Sequence, residues 1–370
     1  MKQILSKQDV LFIGLMIFSL FFGAGNLIFP PELGMESGEH FGLAITGFLI
    51  SGVGLPLLGL LSIAYVSDRG SSDDLGGKVH PVFGVALTIV TFLTVGPFFA
   101  APRTGVVSYE IGIVPFLRDG GNTFTLAVFS IIYFVIVYIL ALEPGRFVDR
   151  IGKLITPFLL ISIFILTIAG LMMPFNLPQP PTEEYLTYPL FKGITEGYLT
   201  MDAIVSIVFA MIVINSIRER GVQERRSIQK VILISGLIAV LCLSTVYVGL
   251  GYLGMTSSSL GFTSGANILA GAAEAYFGFY GQVILAIVIL LACIPTATGL
   301  LSSCAMYFHH LIPALSYRLL LTIFVVFSGV IANVGLAQLI KLSIPVLNVI
   351  YPIINYFQKT YIAQYQGSVG

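Results

Sequence analysis

"FFGAGNLIFPPELG", residues 21–34, stands inside the first strongly apolar stretch of the chain, yet it carries three glycines, an asparagine and two adjacent prolines. Glycine is costly in a helix interior, and each proline removes a backbone N–H. Pro30 also disfavours helix at Phe29. In hydrocarbon an unpaired backbone group costs several kcal/mol, so irregular backbone survives only where protein or a cavity satisfies it. Close helix packing through small residues is the other reading, but that motif spaces glycines four apart, and Gly23 and Gly25 are two apart. The stretch is therefore read as a helix that unwinds at Gly23, Ala24, Gly25 and Asn26.

The composition makes this a membrane question. Of the 370 residues, 56% are hydrophobic and only 10% are charged, against about 25% charged in soluble domains. Mean hydropathy is +0.97. The 18 basic and 18 acidic residues cancel, which gives no electrostatic case for nucleic acid. Cys242, Cys293 and Cys304 all lie in apolar runs and read as reduced core thiols. Trp is absent, so Tyr and Phe must supply any interfacial belt. The N-terminal run ends in Pro30-Pro31-Glu32 without a small-residue cleavage pattern, so it is not read as a signal peptide.

A spanning helix needs about 20 apolar residues. Ten spans are expected: roughly 9–33, 41–66, 81–114, 123–142, 152–173, 194–216, 229–253, 280–308, 315–332 and 336–356. Pro97, Pro102 and Pro295 are kink candidates within the third and eighth. With the N-terminus in the cytoplasm, 14 of the 18 Lys and Arg residues fall on the cytoplasmic side: Lys2, Lys7, Arg69, Lys78, Arg146, Arg150, Lys153, Arg218, Arg220, Arg225, Arg226, Lys230, Arg318 and Lys359. This asymmetry sets the orientation. The densest basic loop, "SIRERGVQERRSIQK" (216–230), reads as topogenic and headgroup-facing. Two outer segments are long. Residues 174–194 are proline-rich and read as a covering loop; 255–281 have a helical middle and read as a lid or a passive connector.

The sixth span begins "KGITEGYLTMDAIVSIVFAMIVI" (192–214), with Glu196, Gly197, Tyr198, Thr200 and Asp202 clustered in its outer to middle part. A carboxylate within a span marks function by default. Asp202 is deep enough for that; Glu196 is equally an interfacial residue. The first and sixth spans are five apart and so run in opposite directions. Two broken helices of opposite sense are the pattern of an inverted-repeat transporter. Their half-helix N-termini would face an anionic carboxylate and their freed carbonyls an amine or a cation. The eighth span, "LLACIPTATGLLSSCAMYF" (290–308), adds the hydroxyls of Thr296, Thr298, Ser302 and Ser303. Adjacent His309 and His310 point in different directions at a helix end and read as interfacial rather than metal-binding. No continuous polar stripe suggests a channel.

Six segments, in this order, carry a likeness: "FFGAGNLIFPPELG", "TVGPFFAAPRTGVVSYE" (94–110), "GKLITPFLL" (152–160), "EGYLTMDA" (196–203), "LACIPTATGL" (291–300) and "LSIPVLNVIYP" (342–352). From about residue 6 to 354 the chain resembles the bacterial branched-chain amino acid:cation symporters, which are similar to transporters of the LeuT-type 5+5 inverted-repeat fold. The resemblance implies an all-α polytopic membrane protein with ten transmembrane helices, helices 1 and 6 broken. Residues 1–173 would form the first five-helix repeat and 194–356 the second. It also implies uptake of leucine, isoleucine and valine across a bacterial plasma membrane, with Na+ or H+ as coupling ion, no other cofactor and no catalysis.

By the same resemblance, Gly23, Ala24, Gly25 and Asn26 would hold the substrate's backbone groups, and Gly197, Tyr198, Thr200 and Asp202 would face them. Apart from the resemblance, Phe99, with Phe98 and Tyr109 on the third span, is a candidate for the apolar side-chain pocket, the other reading being ordinary core packing. By the resemblance, Phe22, Ala292 and Thr296 would hold the cation. The pattern expects a hydroxyl pair at 295–296, and Pro295 departs from it, which brings in Asp202 or Glu110 as proton carriers. The family usually has twelve spans. Here "NYFQKTYIAQYQGSVG" (355–370) is polar and Tyr/Gln-rich, so 357–370 read as a tail, foreign or frameshifted, and a truncated, inactive product stays open. So does a transporter for another small apolar amine. The partners expected are a small amino acid and the bilayer; oligomeric state has no signature.

Overall fold

A computed structural model of the chain describes residues 5–66, 80–118, 120–143, 155–262 and 264–367. Lys2, Arg69, Lys78, Arg146, Arg150 and Lys153, on which part of the orientation argument rests, lie outside the described residues. All regular structure among the described residues is helical. The first span is α1 (Lys7–Phe21) and α2 (Ala24–Ser37), and the second is α3 (Phe41–Leu49) and α4 (Leu55–Val66), joined through a π-helical turn at Ile50–Gly54. The third is α5 (Pro81–Leu93) and α6 (Ala100–Gly112), the fourth α7 (Thr123–Ala141), the fifth α8 (Thr156–Met172). After the short α9 (Glu183–Thr187), the sixth span is α10 (Pro189–Tyr198) and α11 (Asp202–Glu219). The remaining spans are α12 (Arg225–Met255), α13 (Gly265–Leu311), α14 (Tyr317–Ala332) and α15 (Leu336–Gly367). The described part of each of the ten expected spans is thus predominantly helical.

Helix contacts repeat when each span is exchanged for the one five later. Spans one and seven pack through α1 and α2 against α12; spans six and two pack through α10 against α3 and α11 against α4. The fifth span touches the seventh and eighth, and correspondingly α15 touches α4 and α6. The third and eighth spans, which exchange with each other, form the most extensive contact, α6 against α13. Glycines make the two equivalent approaches possible. A methyl group at Gly34 would strike the Gly251 backbone and one at Gly254 the Pro31 carbonyl; likewise Gly47 lies on the Leu190 carbonyl and Gly193 on that of Ala44.

The periphery is apolar. Phe124, Ile131, Ile132 and Ile139 on α7, Ile161 and Ile165 on α8, and Ile323, Val326 and Val330 on α14 all face outward, exposed. Six helices among the described residues are long and apolar enough to cross a membrane, and the bent pair α10–α11 makes a seventh. An outward face of this composition suits hydrocarbon, not water.

The prolines act differently from one another. Near Pro97 the third span opens into a π-helical turn, with Gly96 at φ −78°, ψ −109°. Pro102 lies in the first turn of α6 and makes no kink, because its missing N–H has no helical partner there. α13 stays helical through Pro295 and instead bends at Gly278, where φ is 59°. The segment 265–277 therefore packs as a separate helix, with Gly265 against the Ile28 carbonyl of α2. The proline-rich loop covers the end of α2, where the Thr182 N–H donates to the Glu36 carbonyl at 2.9 Å. At the other end of the chain α15 runs through residue 356 to Gly367 without interruption, and Phe357 and Gln358 are buried.

Candidate functional site

The break in the first span is narrower than residues 23–26. Only Phe22 and Gly23 leave the helix; Ala24, Gly25 and Asn26 form the first turn of α2. Asn26 explains the restart. Its Oδ1 accepts the Gly23 N–H at 3.1 Å, fixing the turn. In the sixth span Gly197 and Tyr198 end α10, Leu199 to Met201 form the break, and Asp202 opens α11. Met201 has φ 66°, the sole non-glycine among the described residues in the left-handed region. Such a conformation costs of order 1–3 kcal/mol and persists where surroundings hold it; Met201 is fully buried.

The two breaks meet. Asn26 Nδ2 donates to Asp202 Oδ2 at 2.5 Å, and the Tyr247 hydroxyl, from the middle of α12, donates to the same oxygen at 3.1 Å and contacts Asn26. All three side chains are buried. Thr200 Oγ1 donates to the Gly197 carbonyl at 2.9 Å and accepts the Asp202 N–H at 3.3 Å, bracing the restart of α11. Thus one carboxylate links the first, sixth and seventh spans.

Arg103 on α6 supplies the opposing charge. It donates from Nη1 to the Leu199 carbonyl at 2.7 Å and from Nη2 to the Thr200 carbonyl at 3.1 Å. It also lies over the Phe29 ring at 5.4 Å, and Gly25 makes room for it: a Cβ there would fall 2.7 Å from Nη2. The freed carbonyls of the sixth span, expected to meet an amine or a cation, are therefore held by a protein guanidinium. Two carbonyls and a ring face compensate the two terminal nitrogens of this buried arginine, while its Nε has no hydrogen-bond partner among the described residues.

The other expected residues divide. Thr296 donates to the Leu20 carbonyl at 3.2 Å and to that of Ala292 at 3.3 Å, and its methyl lies against Gly23. Thr296 thus meets the first span at Leu20 and Gly23, on either side of Phe22, with Ala292 one helical turn before it. Pro295 has no N–H, so the Leu291 carbonyl loses its helical donor. Tyr198 lies tilted against Tyr351 with centroids 4.3 Å apart, and its carbonyl accepts from the Tyr351 hydroxyl at 2.8 Å. Phe99 stands at the break of the third span, where its carbonyl accepts the Arg103 N–H. Phe98 turns outward onto Phe327, and Tyr109 bonds Thr125 at 2.5 Å. Neither belongs with the breaks. Glu196 pairs with Lys192 at 2.9 Å, one turn back on α10, which makes it an ion-paired residue of the helix mouth. His309 bonds the Leu315 carbonyl, and no cluster of metal-ligating side chains occurs among the described residues. All three cysteines are free.

Two members of the network escaped sequence reasoning. Arg103 had a signal, a charge within a span. Tyr247 had none: it sits in an ordinary apolar helix, 221 residues from Asn26 and 45 from Asp202.

Comparison with known proteins agrees with this architecture. The family model described as "Branched-chain amino acid transport protein" matches residues 6–357. The Branched-chain amino acid permease BraB of Bacillus subtilis is 46% identical over 355 residues, covering 95% of this chain and 79% of its own length. Among solved structures, Mhp1, a nucleobase-cation-symport-1 family transporter with bromovinylhydantoin bound, superposes with a TM-score of 0.63 at 14% identity, over 95% of this chain and 77% of that one. MhsT in complex with L-phenylalanine gives 0.62 at 16% identity, over 90% and 80%. The ten-helix fold with first and sixth spans broken is therefore that of the LeuT-type transporters.

Proposed function

The chain belongs to the branched-chain amino acid transport protein family, and from that premise we propose that it takes up leucine, isoleucine and valine across a bacterial plasma membrane by cation symport. The observation that carries the reading is the Asn26–Asp202 contact, which brings the two half-helix starts, α2 and α11, to one point. Helix N-termini present unpaired N–H groups and the positive end of the dipole, which suits the substrate carboxylate. Its aliphatic side chain lies toward Phe99 and Tyr198. A pocket of that kind discriminates a methylene by only about 1–3 kcal/mol, so the three amino acids compete with one another. Rocking of one helix group about the other alternates access, with the N-terminus on the cytoplasmic side.

For the coupling ion, Na+ at Phe22, Ala292 and Thr296 is supported by the position of Thr296 against the first-span break. A proton on Asp202 is the second reading, favoured by that carboxylate's place at the junction of both breaks. Glu110, half-buried near the outer end of α6, lacks that position. The test is labelled leucine uptake into proteoliposomes under an inward Na+ gradient, an inward proton gradient, or neither. Accumulation with one gradient, competed by isoleucine and valine, is expected. Equal uptake in all three conditions overturns symport.

A further inference from the structure

At one end of the bundle, residues of α1 and α12 line a cleft of about 730 Å³. Its mouth carries Lys7 from α1 and Arg226 and Lys230 from α12. One acid faces them, Glu224, and it accepts a hydrogen bond from Ser227 at 2.9 Å. None of the three cations is in an ion pair among the described residues. Glu224 caps no N–H of α12, so the positive end of this 31-residue helix opens toward the same mouth. Below it the wall turns apolar through Val231, Ile234 and Ile238, on one face of α12. From Arg226 to Ile238 the helix rises about 18 Å, which is more than half the hydrocarbon thickness. Ser235 Oγ closes the floor on the Val10 carbonyl at 3.0 Å.

We propose that this cleft holds one anionic phospholipid, its phosphate at Lys7, Arg226 and Lys230 and an acyl chain along Val231, Ile234 and Ile238. Three cations against one engaged acid match a net negative headgroup and disfavour a zwitterionic one, whose own cation they repel. A soluble phosphate has no use for the apolar wall. The two sides of the cleft belong to different spans, and α1 is the half-helix that ends at the Phe22–Gly23 break. The lipid thus adds a bridge between the first half of the first span and α12, which already pack together. The proposal rests on the chain's place in a membrane, not on its substrate.

The full chain is purified and its retained lipid measured by native mass spectrometry after reconstitution with phosphatidylcholine, phosphatidylglycerol or both. One phosphatidylglycerol per chain is expected, retained about tenfold or more over phosphatidylcholine. The triple variant Lys7→Gln/Arg226→Gln/Lys230→Gln loses the preference. So does Ile234→Trp, which fills the apolar wall and leaves every charge. Should the triple variant fail to fold, Ile234→Trp decides alone. Equal retention of the two lipids by the wild type, or an unchanged preference in Ile234→Trp, overturns the proposal. So does release of the lipid by millimolar inorganic phosphate, which marks a site for free anions.

Discussion

Removing the Asn26 side chain should impair transport through Asp202, and the size of that dependence follows from the contacts. Asn26→Ala deletes a donor to the carboxylate and the acceptor of the Gly23 N–H. A buried polar group left without its partner costs about 1–3 kcal/mol, and hydrogen bonds to charged groups contribute about 1.5–3 kcal/mol. In membrane proteins interhelical bonds average about 0.6 and reach about 1.7 kcal/mol. These ranges meet near 1.5 kcal/mol for the Asn26–Asp202 link alone. Asp202→Asn keeps the shape and removes the charge, which halves such a bond rather than abolishing it. A double-mutant cycle should therefore show about 0.75 kcal/mol of coupling, roughly a three- to fourfold departure from multiplicative effects. The assay is the initial rate of leucine uptake by proteoliposomes of wild type, both single variants and the double variant. The double variant should transport better than the product of the singles predicts. A product matching the double variant would sink the argument that the two breaks act through this bond.

Three further outcomes follow from the same geometry. Gly25→Ala places a Cβ 2.7 Å from Arg103 Nη2 and 3.1 Å from Thr200 Cα, so leucine uptake should fall at least about tenfold; Gly42→Ala, whose Cβ meets open space, should transport like the wild type. Arg103→Lys keeps the charge but not the fork that spans the Leu199 and Thr200 carbonyls, and uptake should drop by about tenfold or more with the protein still inserted and folded. Thr296→Val should raise the Na+ concentration for half-maximal uptake by about tenfold under the sodium reading; an unchanged Na+ dependence places the ion elsewhere.

The breaks were legible because a membrane makes them expensive. Gly23 in one apolar run, and Glu196 to Asp202 in another, have no place in regular spans; Pro30 and Pro31, which read as breakers of helix at Phe29, instead lie inside α2, which stays helical through all three. Their extent was not legible. Gly25 and Asn26 are poor helix formers, but the Asn26 side chain caps the turn and the helix restarts at Ala24, three residues earlier than a break over 23–26 implies. Prolines marked bends unevenly, since position within the helix decides the effect: Pro97 stands in a π-helical turn, while Pro102 lies in a first turn. Glu196 kept two readings until Lys192 was placed beside it. Arg103 and Tyr247 reach the site only through packing between spans distant in sequence. Arg103 showed itself as a charge out of place, and nothing local distinguishes Tyr247 from any other buried tyrosine.

The most direct test of the account is equilibrium binding of labelled leucine to the purified chain, because it isolates the site from the transport cycle. The wild type should bind one leucine per chain, displaced by isoleucine and valine, and Asn26→Ala should bind at least about tenfold more weakly. An Asn26→Ala chain that binds leucine as tightly as the wild type contradicts a site built between the breaks of the first and sixth spans.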